Sequence, residues 1–329
     1  MDNMHSVVAQ MEQFGIIFRD KDLPLDVGMA KRKTCGKGGK FWYWLQLFRP
    51  DAGGSYVVGR FGSYQTGNSE KVEVDWAPLS EAERARRAAE HAAARKAADE
   101  ARAHEAELAA LGALDLWRRA NRQGTSPYLA RKGVEPEACR YFADGTVVIP
   151  LIRYDMPRAE ALRAVQRIKP DGAKFFTKGF AKPGCALRLG EIVPGRLNLV
   201  LVCEGYSTAL SIRMATGHEL VVYMALDAGN LAHVVPMVRA LHPDHFILIC
   251  ADDDYRTRDQ VTGKLNNPGR TAARAIAKQV PSCDLIWPVF EAATRGEKDT
   301  DFNDLHQRQG LDAVARQIRS VLNAMVKVK

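Results

Sequence analysis

Residues 246–256 read FILICADDDYR, and they pass from pure hydrocarbon into Asp252, Asp253 and Asp254. An unbroken apolar run of this length, set among helical patterns, is the mark of a strand buried on both faces of a parallel sheet. Three adjacent carboxylates at its end repel one another, and no basic residue precedes them. Two readings stand at this point. Asp is common in solvated turns, and clustered carboxylates are also what a hard divalent cation takes as oxygen ligands.

The neighbouring sequence decides the fold. Strand NLVLVC (198–203) leads to helix STALSIRMATG closed by Gly217, and strand ELVVYMAL (219–226) leads to helix NLAHVVPMVRAL. FILICA is followed by helix PGRTAARAIAKQV and then by strand CDLIWPV (283–289). Four apolar strands alternating with helices predict an α/β fold, a parallel sheet covered on both faces. Ligands of such sheets bind outside the carboxyl ends of the strands.

At that edge the sequence gathers acids. CEGYS places Glu204 at the end of the first strand, with Gly205 allowing close approach; the third strand ends in the aspartate triplet. KDTDFNDL after the last strand adds Asp299, Asp301 and Asp304. Side chains two apart in extended chain point the same way, so Asp252 and Asp254 form the natural ligand pair and Asp253 faces elsewhere. Such carboxylates destabilise one another without a cation, and Mg²⁺ needs only one or two of them when phosphates and waters complete its shell.

Upstream, the charge is uneven. The whole chain of 329 residues has a net charge of +8, and residues 125–198 hold 13 Lys and Arg against 7 Asp and Glu. Arg167, Lys169, Lys174, Lys178, Lys182 and Arg188 stand there among Gly, Pro and Phe, as basic groups on loops between short strands. They make an electrostatic track for a phosphate backbone, against the plainer reading of a solvated basic surface. Before them, SPYLARKGV predicts a short helix and Thr146–Ile152 a strand. Residues 78–120 are Ala-rich, charged and without Pro after Pro78. They read as a long exposed helix that starts in a Ser80–Glu83 capping box, carries a Glu83–Arg87 pair and docks only its last turns. Residues 38–76 alternate aromatic and β-branched residues with Gly-rich turns, as a small antiparallel unit does. Its Phe41, Trp42, Tyr43 and Trp44 can stack on bases, but a small domain's core is the reading favoured here.

Bulk composition narrows the class. With 46% hydrophobic and 26% charged residues the chain has an ordinary globular composition. No apolar run reaches the roughly 18 residues that span a bilayer, and MDNMHSVVAQMEQ lacks the basic-then-apolar pattern of a secretion signal. A cytoplasmic protein with no membrane partner is expected. The six cysteines form no CxxC pair, so no zinc is expected. No GxxxxGK[ST] is present, which excludes a helicase motor within the chain.

VCEGYSTALS, ICADDDYR, NPGRTAARAIA and KDTDFNDLH together resemble the TOPRIM domain of phage and plasmid primases of the DnaG-like type. SPYLARKGV, VVIPLI and IKPDGAKFFTKG are similar to the subdomain that precedes TOPRIM in primases, so the resemblance covers roughly residues 110–310. It implies general acid/base work for Glu204 and divalent-metal binding by Asp252 and Asp254, with Asp299 and Asp301 as further metal candidates. Mg²⁺ or Mn²⁺, two ions, would be the cofactor. Single-stranded DNA, ribonucleoside triphosphates and a replicative helicase would be the partners, with the basic residues holding template and nucleotide. Two departures stand out: Thr208 occupies a position where bacterial primases carry Asp, and their cysteine-built zinc domain has no counterpart here.

The expected organisation is a small β-rich domain (1–77), a long helix (78–120) and a basic α+β subdomain (121–197). The TOPRIM domain (198–310) and a C-terminal helix (311–329) follow. The expected function is template-directed synthesis of RNA primers. The same acid set would also serve a metal-dependent nuclease, and a primase-like module that only binds single strands or recruits a helicase is the non-enzymatic alternative.

Overall fold

The computed structural model describes residues 3–50, 53–74, 81–193, 197–258, 265–291 and 295–326. The Ser80–Glu83 capping box and the Glu83–Arg87 pair lie outside the described residues. Two compact units divide the chain, one of residues 1–98 with 258–264, the other of 99–257 with 265–329.

In the first unit, helix α1 (Met4–Gln13) precedes an antiparallel sheet of β1 (Lys33–Cys35), β2 (Phe41–Phe48), β3 (Tyr56–Ser63) and β4 (Ser69–Lys71) in that order. The sequence reading missed α1. Val7 and Met11 on α1 close a core with Tyr43, Leu45, Val57 and Phe61. Tyr43 is therefore the core residue that the aromatic run was expected to supply, and Phe41 packs against the same cluster. Trp42 and Trp44 are not part of it. Alternation along β2 sends them to the opposite face, where Arg32 lies 3.9 Å from the Trp42 ring centre.

Helix α2 (Glu81–Arg119) begins in the first unit and ends in the second. Apart from half-buried Arg87, its described side chains stay exposed up to Ala106; Ala109, Ala110 and Ala113 are buried, and Ala113 packs with Val148 and Val165. In the second unit α3 (Pro127–Lys132) ends at Gly133, whose left-handed conformation closes the helix. An antiparallel sheet follows, with β5 (Arg140–Tyr141), β6 (Val147–Ile152), β7 (Leu162–Ile168) and β8 (Lys174–Phe176) in sequential order.

The main sheet contains β9 (Leu187–Leu189), β10 (Leu199–Cys203), β11 (Val221–Met224), β12 (Phe246–Cys250) and β13 (Cys283–Ile286). Their order is β13-β12-β10-β11-β9, parallel except for the antiparallel β9. The face into which each residue is buried alternates along the strands. Leu199, Leu201, Cys203, Leu248 and Cys250 face a core shared with α4 (Tyr206–Ala215), α7 (Phe302–Gln309) and α8 (Leu311–Val326). Val200, Val202, Ile247 and Ile249 face α5 (Ala228–Leu241) and α6 (Pro268–Ala277). Both faces are covered, which is why the strands read as unbroken hydrocarbon.

Two expected boundaries run through packed structure. β9 comes from the segment assigned to the basic subdomain, yet Leu187 and Leu189 pair with Met224 and Val222 at the edge of the main sheet. Helix α8, expected as a C-terminal helix after the TOPRIM domain, buries Ala313, Val314 and Ile318 in the same core as β10. Among the described residues no helix is long and apolar enough to cross a membrane.

Candidate active site

Three parallel strands each deliver an acid at the carboxyl edge. Glu204 follows β10, Asp227 lies shortly after β11, and Asp252 follows β12. Glu204 is 9% exposed, and its Oε1 is buried without a hydrogen-bond partner. Burial first, and Asp254 next, push its carboxyl up to about 7. Asp252 carries a second orphaned oxygen, Oδ1. Burial, then Glu204, Asp301 and Asp254, push Asp252 well above the ordinary carboxylate range. Two buried carboxylates that repel each other and leave an oxygen unsatisfied are the arrangement a cation would relieve.

The aspartate triplet divides as the two-residue alternation suggests, although β12 itself ends at Cys250. Asp252 and Asp254 lie within reach of Glu204's charge and share the repulsion at this edge. Asp253 is 4% exposed and turns away, with Arg295 at 2.9 Å and Arg270 at 3.2 Å. Each arginine also stacks on aromatic rings, Arg270 on Trp287 and Arg295 on Tyr255 and Phe290. The Asp253 amide donates to the Thr300 carbonyl at 2.7 Å.

Asn267 ties this loop to α6. Its Oδ1 accepts from the Asp254 and Arg270 amides, and its Nδ2 donates to Asp253 at 2.7 Å. Gly269, one residue into the first turn of α6, lets the helix approach: a Cβ there would stand 2.6 Å from the Asp252 carbonyl oxygen and 3.1 Å from Glu204 Oε1.

The two aspartates of KDTD separate. Asp301 caps α7, with Oδ1 accepting from the Asp304 amide at 2.8 Å and Oδ2 accepting from the Thr208 hydroxyl at 2.9 Å. Burial and Asp304 raise its carboxyl above the ordinary range, and Asp252 feels its charge. Thr208 thus holds Asp301 at the edge of the acid set. Asp299 is not brought there. Arg308 at 2.8 Å and the Gly296 amide at 2.6 Å engage it, and although burial opposes its charge these partners hold it below the ordinary range. A carboxylate already engaged by an arginine has less to offer a metal, and the structure does not bring Asp299 to the other acids.

The basic residues also divide. Lys169, Lys174 and Lys178 are exposed around the β7–β8 hairpin, where Lys169 lies 5.2 Å from the Phe175 ring centre. Arg167 sits within β7, Lys174 within β8 and Arg188 within β9, on strands rather than the expected loops. Arg188 is half-buried against Tyr154, and Arg167 keeps its Nε buried and unpaired. Lys182 pairs at 2.7 Å with Asp227, the cap of α5 and a neighbour of Glu204. The sequence reading missed Asp227, Asn267, Arg270, Arg295 and Lys132, the last lying 3.6 Å from Asp304. Asp227 carried a signal, an acid beyond a strand end and just before a helix; the arginines carried none.

Among the described residues no three Asp, Glu, His or Cys side chains come together as a self-sufficient metal cage. The donor set fits a hard cation that takes one or two carboxylates and fills the rest of its shell with phosphate and water.

Residues 199–312, which hold this parallel sheet and its acidic edge, match the Toprim domain. Beyond that domain, the chain is 32% identical over 250 residues to a DNA primase TraC of Escherichia coli, across 71% of this chain and 22% of that protein. A second E. coli DNA primase TraC is 31% identical over 252 residues, across 72% of this chain and 17% of that protein. The chain is thus similar to these primases over most of its own length, and it spans less than a quarter of theirs. The primase fragment of the bacteriophage T7 primase–helicase protein aligns with a TM-score of 0.42 at 13% identity, over 61% of this chain and 77% of that one.

Proposed function

We propose that this chain is a DNA primase, making short RNA primers on single-stranded DNA by metal-dependent nucleotidyl transfer. The observation that carries the reading is the pair of orphaned oxygens, Glu204 Oε1 and Asp252 Oδ1, at the strand ends of a Toprim domain. Asp252 and Asp254 hold Mg²⁺ or Mn²⁺, and Asp301 is the candidate for a second ion. When bound, such ions neutralise the charge that develops on a transferring phosphoryl group. Glu204, with its carboxyl near 7, holds or takes the proton of an attacking 3′-hydroxyl close to neutral pH.

Lys169, Lys174 and Lys178 offer exposed charge to template or triphosphate, and Lys182 lies nearer the acids through Asp227. Arg167 and Arg188 are too enclosed for the same work without rearrangement. The reaction belongs to the cytoplasm, in phage, plasmid or mobile-element replication, with a replicative helicase as partner.

The test is oligoribonucleotide synthesis on single-stranded templates with ribonucleoside triphosphates and Mg²⁺ or Mn²⁺. Chelation should stop it, and Glu204→Gln and Asp252→Asn should each lower it by roughly a hundredfold or more. Full activity in both variants sinks the assignment. Metal-dependent nicking of DNA without nucleotides would replace priming with the nuclease reading.

A further inference from the structure

The first unit carries a groove that the acid set does not explain. It is an open cleft of about 830 Å³ on the face of the β2–β3–β4 sheet turned away from its core, bordered by the start of α2. The solvent face of an antiparallel sheet is ordinarily polar. Here Trp44 and Phe48 form its floor, and Arg60, Lys71, Arg84 and Arg87 rim it. Glu90 is the single acid in the lining.

The pieces are placed by local rules. Trp44 and Phe48 are four apart on β2 and share a face, and Arg60 is the cross-strand partner of Trp44. Lys71 is in turn opposite Arg60 on β4. Gly59 lets the strands close up beneath the groove: it sits at φ 152°, and a Cβ would meet the Trp44 carbonyl oxygen at 2.1 Å. Arg87 already stacks on Phe48 at 3.7 Å, which shows that a flat cation fits against this floor. Trp44 has no ring or cation stacked on it among the described residues.

We propose that this groove is a second, metal-independent binding site for single-stranded DNA. A base stacks on Trp44, and the backbone phosphates run along Arg60, Lys71 and Arg84. An indole face set among cations matches a polyanion with flat apolar faces. An acidic peptide would meet the cations and leave the indole uncovered, and a membrane surface would need a wider apolar patch. The choice of DNA over RNA rests on the priming reading; the stacking site does not.

The experiment uses the full chain in EDTA with a thymidine oligomer carrying 5-iododeoxyuridine, photocrosslinked and mapped by mass spectrometry. Adducts are expected on the peptide containing Trp44 and Phe48. Trp44→Ala should weaken oligomer binding roughly fivefold to a hundredfold, the range of one lost base stack. Trp44→Phe should restore most of it, which separates stacking from misfolding. Arg60→Ala combined with Lys71→Ala should flatten the salt dependence. Adducts confined to the second unit, or Trp44→Ala binding like wild type, would overturn the proposal. Preferential crosslinking to a uridine oligoribonucleotide would overturn its assignment to DNA. Loss of primer synthesis in Glu204→Gln with these crosslinks intact separates the two sites; crosslinks without any primer synthesis in wild type would refute the priming reading alone.

Discussion

Asp253 is the residue whose role the structure changes most. It looks like a bystander between two ligands, yet it is buried and holds both Arg270 and Arg295. Removing one member of a buried pair leaves the partner charge uncompensated, at a cost of ~3 kcal/mol even when the partners keep some solvent. Asp253→Asn should therefore lower the thermal midpoint by several degrees and weaken metal binding by loosening the loop; a midpoint unchanged within error would refute the clamp. His242 shows the other sign of buried charge. Its Nε2 lies 2.9 Å from the Tyr223 hydroxyl; burial, then His245, Arg188 and Arg239, push its pKa down to about 4. The unfolded chain takes up that proton near pH 6.5 and the folded chain refuses it until about 4, so stability falls across that window as the pH drops. Unfolding midpoints at pH 7 and pH 4.5 should fall less in His242→Asn than in wild type. Parallel falls would remove His242 from the account.

At the scale of elements, the loop after β12 and the start of α6 act as one piece. Asn267 bonds both the aspartate loop and its own helix, and Gly269 gives the clearance that brings them together. Gly269→Ala puts a methyl group 2.6 Å from the Asp252 carbonyl oxygen. It should push the loop outward and cost metal affinity, read by calorimetry with Mn²⁺, while the same change at the exposed Gly112 should leave that affinity alone. Equal affinities in the two variants would refute the clearance argument. Much of this edge was legible in the sequence. Glu204 and Asp252 follow their strands at the carboxyl edge as the strand-end rule places them, because both faces of the sheet are buried and the strand register cannot slip. The placement of Asp299 was not legible, because spacing cannot say which of two acids meets an arginine, and Arg308 on α7 pairs with it. Trp44 was misassigned because a run of four aromatics hides the alternation that sends every second ring to the other face. Helix α1 was missed because its apolar positions, Val7 and Met11, are too few to stand out until the sheet beneath them is known.

At the scale of the molecule, the second unit is knitted across the expected boundaries. β9 closes the main sheet from the upstream side, and one core runs from Leu129 and Ile149 through Leu201 to Val314. A fragment of residues 121–329 should unfold cooperatively, whereas 198–329 lacks the edge strand and half the core wall and should not. A sharp transition in the shorter piece would show that the Toprim domain stands alone. The same core bears on the acid set. The sheet that this core supports delivers both Glu204 and Asp252 at its carboxyl edge, where burial raises both carboxyls and Glu204 raises that of Asp252 further. A cation arriving at this edge is thus a folding ligand as well as a reagent: whatever its affinity, the native state gains stability in proportion to how far the ion concentration exceeds its dissociation constant. On the proposed function, catalysis and the persistence of the fold would then both depend on the concentration of the same divalent ion.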